Sequence, residues 1–231
     1  MEVSVEARSR SESDQFIPLF PLGIVLLPQM RLPLHIFEER YKLMISQCLD
    51  EEKPFGIVHQ TGKGIRRVGC TARIVEVLRR YEDGRMDIVT RGEQRFYIEA
   101  VDESLAYLQS SVIYFDDEFE ASSEEEEALR TRVLDLLVRL DRASGNTRDY
   151  SALKAMDLKG LSFAVPGSEG FTPDERQRFL EMTSARRRLE KGADALAGVI
   201  ERIRINEEVK TIIGGNGDVK ALLKKKGIHP D

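Results

Sequence analysis

The sequence predicts an α+β fold, with a β-rich first half reaching to about Phe115 and a helical second half. Three observations predict it. Up to Phe115 the chain is cut into short apolar runs by Gly, Pro and Asp-Gly turn signals, the pattern of strands with tight connections. Between Phe37 and Asp50 the apolar spacing changes to three and four residues, which marks one helix inside that half. Beyond an acidic stretch at 116–127 the apolar residues keep helical spacing to about Lys210.

Each element has its own local reason. Residues 1–14 are polar and mixed in charge and read as a flexible terminus; no apolar run follows a basic start, so no secretory signal is expected. Phe16–Phe20 and Ile24–Leu27 read as short strands. Pro18 and Pro21 remove ladder donors, which predicts edge or bent strands there. Arg31–Phe37 is a third extended piece. Phe37, Tyr41, Met44, Ile45, Cys48 and Leu49 then share one face of a helix that closes before Pro54. Phe55–Gln60 returns to strand character, and Thr61-Gly-Lys-Gly64 turns the chain into a strand over Val68–Leu78. Asp83-Gly84 is a hairpin signal. Met86–Val89 and Arg95–Val101 bracket Gly92, which predicts a bulge or a second tight bend. Leu105–Phe115 completes roughly six or seven strands, and turns this frequent favour a small closed or half-closed barrel over a parallel sheet.

In the second half, Ser122 or Ser123 can cap a helix whose first turn is acidic, and Leu129, Val133, Leu136, Leu137 and Leu140 form its apolar stripe. Ser144-Gly-Asn146 ends that helix. Tyr150–Lys159 reads as a weaker helix, and Leu161–Gly167 as a short apolar piece that is helical before Pro166. Thr172-Pro-Asp-Glu175 is a helix start, with a Thr cap, Pro in first position and acid behind. A longer helix from about Ser184 to Lys210 follows, and Gly214–Gly217 breaks the pattern. The expected organisation is a flexible terminus over 1–14, a β-rich subdomain over 15–118, a helical bundle over 119–210 and a flexible basic tail over 211–231.

Composition excludes several classes of function. Apolar residues make up 41% and charged residues 32% of 231, the balance of a globular protein with no membrane span. The formal charge, 35 − 40 = −5, argues against broad electrostatic binding of nucleic acid or anionic membrane. Arg66, Arg67, Arg79 and Arg80 are the local exception, set among Glu76, Glu82 and Asp83. Cys48 and Cys70 make neither a disulfide framework nor a zinc cluster; they read as buried free thiols, and hence the cytoplasm as the expected compartment. His35, His59 and His229 are too far apart for a metal motif, so neither metal nor cofactor is expected. His35, between Leu34 and Ile36, reads as a packing histidine, with a binding-site role as the alternative. No Gly-x-Ser-x-Gly or phosphate-loop motif occurs, and no constellation of residues requires catalysis to explain it.

A family becomes visible in the opening block. Phe16-Ile-Pro-Leu-Phe-Pro-Leu-Gly-Ile-Val-Leu-Leu-Pro28, Leu32-Pro-Leu-His-Ile-Phe-Glu-Glu-Arg-Tyr41 and Phe55-Gly-Ile-Val58 closely resemble the N-terminal domain of Lon proteases. Val68-Gly69, Asp83-Gly84-Arg85, Gly92-Glu-Gln-Arg-Phe96 and, more loosely, Glu175–Glu181 and Arg187–Leu189 agree, so the resemblance covers about residues 14–208. The resemblance implies a pseudo-barrel of the PUA-like type carrying one helix, then a helical bundle. It also implies engagement of substrate polypeptides. The chain reads as a stand-alone Lon N-terminal-like protein, ATP-independent and without the ATPase and Ser-Lys protease modules.

The expected function is a non-catalytic binding module for unfolded or exposed hydrophobic polypeptide, or a proteolysis adaptor in protein quality control. Its partners would be a client and a separate protease, or a second copy as a homodimer. A small enzyme of unknown reaction on the same fold and a self-associating scaffold are the alternatives. Leu32, Leu34, His35 and Phe37 are the candidate peptide-binding residues, beside strand edges that proline leaves unpaired. Glu38 and Arg95, both in family motifs, are the candidates for an ion pair joining helix to barrel. No catalytic residue is assigned.

Overall fold

Six strands carry the first half. They are β1 (Phe16–Leu22), β2 (Arg31–Ile36), β3 (Phe55–Thr61), β4 (Gly64–Arg80), β5 (Met86–Asp102) and β6 (Gln109–Phe115). Helices follow as α2 (Glu125–Ser144), α3 (Ser151–Ala155), α4 (Leu158–Gly167), α5 (Pro173–Glu181) and α6 (Ala185–Gly214), with α1 (Glu39–Asp50) inside the strand-rich half. The computed structural model describes residues 16–119, 125–147 and 149–214. The fold is mixed α+β, as the sequence predicts. The flexible termini, the Ser122 or Ser123 cap, His229 and the Gly214–Gly217 break lie wholly or largely outside the described residues.

The sheet order is β2-β5-β4-β3-β1-β6, and β5 also pairs with β6, so five strands close into a ring and β2 flanks it. Only β1 with β3 is parallel. The two 17-residue strands do most of the joining. The first part of β5 pairs with β2 and its last part with β6. Three register shifts along β4 let one strand serve two curvatures.

Of the two expectations for β1, an edge or a bent strand, the edge is excluded. Phe16, Ile17 and Pro18 pair with β6, whereas Leu19–Leu22 pair with β3, so β1 lies between two strands. The strand changes partner at Pro18. Pro18 and Pro21 each register with one neighbouring strand only, which is the condition under which a strand tolerates proline, whereas Leu19 between them registers with Gly56 and also donates to Leu108 O at 2.7 Å. The barrel core gathers Ile17, Leu19, Val58, Phe96 and Ile98. Helix α1 closes one side by burying Tyr41, Met44, Ile45 and Cys48, and Tyr41 lies 4.1 Å from the Phe20 ring.

Ile24–Leu27 forms no strand. Val25, Leu26 and Leu27 are buried in irregular chain, and its turn docks on β5, where Gln29 N–H donates to Gly92 O at 2.8 Å and Gly92 N–H to Met30 O at 2.9 Å. β5 runs through Gly92 without a tight bend, but its register with β4 shifts between Gly92 and Arg95, opposite Ala72 and Cys70, which is the expected bulge; Gly92 itself also marks a close backbone approach.

The chain divides into two compact units, and residues 166–185 group with the sheet rather than with the other helices. In that returning segment, Gln177 is fully buried and donates to Val68 O at 3.0 Å. Helix α5 starts as its sequence predicts, with a reciprocal box between Thr172 and Glu175. Thr172→Ala is expected to cost about 1 kcal/mol, read as a lower urea midpoint at unchanged slope. In the second unit Val133, Leu136, Leu137 and Leu140 of α2 and Leu189, Leu196 and Val199 of α6 are buried. Arg188 is buried there, stacked 3.7 Å over Phe163, and its Nε–H donates to Ser162 Oγ.

Candidate functional site

Strand β2 is where the candidate residues sit, and alternation along it sorts them. Leu32 is 9% exposed and Ile36 1%, so both belong to the core, with half-buried Leu34 between them on the same face. His35 points the opposite way, and Phe37, 60% exposed, stacks against it at 6.0 Å. The structure therefore brings His35 and Phe37 together and separates them from Leu32 and Leu34. His35 is no packing histidine. It is an exposed side chain whose Nδ1 lies 2.6 Å from Asp87 Oδ1 on the neighbouring strand.

Asp87 collects a second donor, the Tyr81 hydroxyl at 2.7 Å, and Arg79 and Arg85 stack over the Tyr81 ring. The hydrogen bonds from His35 and Tyr81 hold the Asp87 carboxyl below its ordinary range, and the bond to Asp87 pushes the Tyr81 phenol up. For a carboxyl lowered by folding, the stabilising contribution is present above the unfolded value and fades as pH falls through the lowered one. Asp87 is the one hydrogen-bond partner of His35 among the described residues, and among them no Ser, Thr or Cys side chain bonds to the pair.

The thiols are equally far from chemistry. Burial pushes both Cys48 and Cys70 up to about 12, with Glu51 adding to the effect at Cys48. Both are therefore protonated at neutral pH and inert as nucleophiles. A thiol reagent at pH 8 is expected to label neither site in the native protein and both in denaturant; rapid native labelling would contradict this placement. Among the described residues no cluster of three His, Cys, Asp or Glu side chains could hold a metal ion, and no helix is long and apolar enough to cross a membrane.

The expected pair of Glu38 and Arg95 does not form. Glu38 bonds Arg40, two residues along, at 2.8 Å on the surface. Arg95 is 2% exposed, lies 2.6 Å from Asp117 and donates to the carbonyls of Leu180 and Met182. The two residues fail to meet because Glu38 opens α1, whereas Arg95 faces the segment that returns to the sheet after α5. The four arginines noted in the sequence also disperse. Arg66 pairs with Glu181, Arg67 donates to Ile98 O, Arg79 covers Tyr81 and Arg80 reaches Met86 Sδ.

Sequence reasoning missed Tyr81 and Asp87. The Asp-Gly hairpin gave their proximity to each other, but nothing local tells that β2 pairs with β5 across 52 residues. In that pairing β2 terminates the sheet order, so its second edge has no strand beside it among the described residues. The described residues of the helical unit form grooves. One of about 310 Å³ is lined by Glu125, Arg132 and Arg186, and one of about 580 Å³ by Leu134, Val138 and Tyr150.

Comparison with known proteins agrees with this architecture. The crystal structure of a Lon N-terminal domain protein from Xanthomonas campestris is 21% identical, with a TM-score of 0.60 over 76% of this chain and 95% of that one. The N-terminal domain of Mycobacterium avium complex Lon protease is 22% identical, with a TM-score of 0.63 over 79% of this chain and 98% of that one. A Lon protease of Paraburkholderia phytofirmans is 28% identical over 85% of this chain, and Lon protease 1 of Syntrophobacter fumaroxidans is 26% identical over 90%. This chain spans about a quarter of the length of these Lon proteases (26% of each). The family model of the ATP-dependent protease La (LON) substrate-binding domain matches residues 17–198. On that match, the chain belongs to the family of LON substrate-binding domains.

Proposed function

We propose that this chain is a non-catalytic module that holds unfolded or extended polypeptide against the outer edge of β2. The carrying observation is that edge itself: a strand paired on one side only among the described residues, with exposed Phe37 and His35 beside it. An extended chain added there would gain main-chain hydrogen bonds, and Phe37 would cover alternate apolar side chains. Family membership supports the polypeptide as ligand. Binding of this kind is weak, because ordering a flexible segment offsets much of the contact energy. On the same reading the module passes clients to a separate protease as an adaptor in quality control. It works in the cytoplasm, where its two unpaired thiols suit the redox poise, alone or as a homodimer. A self-associating scaffold has less support, because Leu189, Leu196 and Val199 of α6 are buried.

The test is fluorescence anisotropy with a labelled polypeptide kept unfolded by reduction and carbamidomethylation, against its native form. Micromolar binding of the unfolded form alone, weakened severalfold by Phe37→Ser, is expected. Equal binding of both forms, or none at high micromolar concentration, would overturn the proposal.

A further inference from the structure

The outer face of the three-stranded region β2-β5-β4 carries a row of like charges. Arg31 of β2 is in register with Arg91 of β5, and Arg91 is in register with Arg73 of β4. Residues in register share a face, and neighbouring strands lie about 4.8 Å apart, so three guanidinium stems stand side by side across about 10 Å. Like charges directly opposite one another destabilise a sheet. Only the flanking members are compensated. Arg73 Nε–H donates to Glu93 at 2.8 Å and its Nη1 to Glu52 O at 3.2 Å. Arg31 reaches Glu76 at 3.5 Å, with both side chains more than half exposed, a contact of little strength. Arg91 is exposed and has no ion-pair or hydrogen-bond partner among the described residues. A row of repelling cations whose central member is kept without compensation violates the local pairing rule, and such violations concentrate at functional sites.

Resting on the reading of β2 as a peptide-binding edge, we infer that the Arg31–Arg91–Arg73 row selects extended polypeptide segments that carry an acidic residue. A strand added to the free edge of β2 would place every second side chain on this outer face. The one beside Arg31 becomes the fourth member of the row, about 4.8 Å away. A carboxylate there meets the weakly held Arg31 guanidinium and the field of Arg91, and charge-assisted bonds of this kind are the strong ones. The following outward positions of β2 are Pro33, His35 and then Phe37, so the residues that follow the acid are apolar or aromatic. A nucleic acid fits less well. Glu76 and Asp87 lie in the next two rows of the same face, opposite Val89 and beside His35, where a continuous phosphate chain would cross them.

The test compares two labelled peptides, alternating valine with glutamate and valine with glutamine, and an oligodeoxythymidine of equal charge. The glutamate peptide is expected to bind about tenfold tighter than the glutamine peptide, a difference near 1.4 kcal/mol, and added salt should erode the advantage. The double variant Arg31→Gln/Arg91→Gln should bind both peptides equally, and Arg91→Gln alone should melt no lower than the parent protein. Equal binding of both peptides to the parent overturns this inference while leaving the edge-binding reading intact. Loss of all peptide binding overturns both. Tighter binding of the oligonucleotide that vanishes in the double variant assigns the row to nucleic acid and overturns the inference. A lowered melting temperature for Arg91→Gln overturns its premise.

Discussion

Arg95→Ala is expected to destabilise the protein by about 3–5 kcal/mol, the cost of removing one member of a buried, hydrogen-bonded ion pair. The Arg95 side chain is 2% exposed and that of Asp117 is 9%, with 2.6 Å between them. The same guanidinium donates to the carbonyls of Leu180 and Met182 and lies 4.6 Å over the Phe115 ring. Alanine would take one donor from the Asp117 carboxylate and from the carbonyls of Leu180 and Met182, and hydrogen bonds made by a charged group are worth more than neutral ones. Arg95→Lys should recover only part, because a single ammonium cannot reproduce a planar fork serving three acceptors. The loss should centre on the segment after α5, where Glu118 N–H donates to Thr183 O at 2.8 Å. Amide exchange there should quicken before the rest of the barrel. A cost below about 1 kcal/mol would mean that Arg95 is solvated rather than a tether.

Gly92→Ala is the second large effect. A Cβ at Gly92 would stand 2.2 Å from Leu27 O and 3.0 Å from its carbonyl carbon. Backbone cannot yield as a side chain tip does, so the 27–30 turn must lift from β5. That sacrifices the paired bonds of Gly92 with Gln29 and Met30. We expect a loss of at least about 3 kcal/mol from overpacking and lost hydrogen bonds together. Gly62→Ala is the control, because nothing lies within 4 Å of a Cβ there, and its midpoint should hardly move. Equal effects at both positions would contradict the close approach.

These two residues also show how far the sequence could be read. Short-range physics was legible. The Thr172 box, the apolar stripe of α2, the 83–84 hairpin and the buried face of α1 each depend on spacings within a few residues. Non-local closure was not. Gly92 read as a bulge or a bend, and the register shift beside it fits the bulge; its close approach was not legible, because the chain that comes near it lies 65 positions earlier, at Leu27. Arg95 read as one half of an ion pair with Glu38, but its acceptors lie 22, 85 and 87 residues away, beyond the reach of local spacing. The prolines of β1 signalled single-sided pairing, and the strand meets that condition by switching partner rather than by lying at an edge. At the site, alternation along β2 was visible, yet which face is outward depends on pairing with β5, so Leu32 and Phe37 could not be told apart.

The central claim is that polypeptide docks along the open edge of β2. Hydrogen-exchange mass spectrometry in the presence of saturating carbamidomethylated, unfolded polypeptide tests it most directly. Slowed exchange concentrated in residues 31–37, with the helical unit unchanged, is the predicted result. Protection confined to the α2 grooves, with residues 31–37 exchanging as in the free protein, would contradict it.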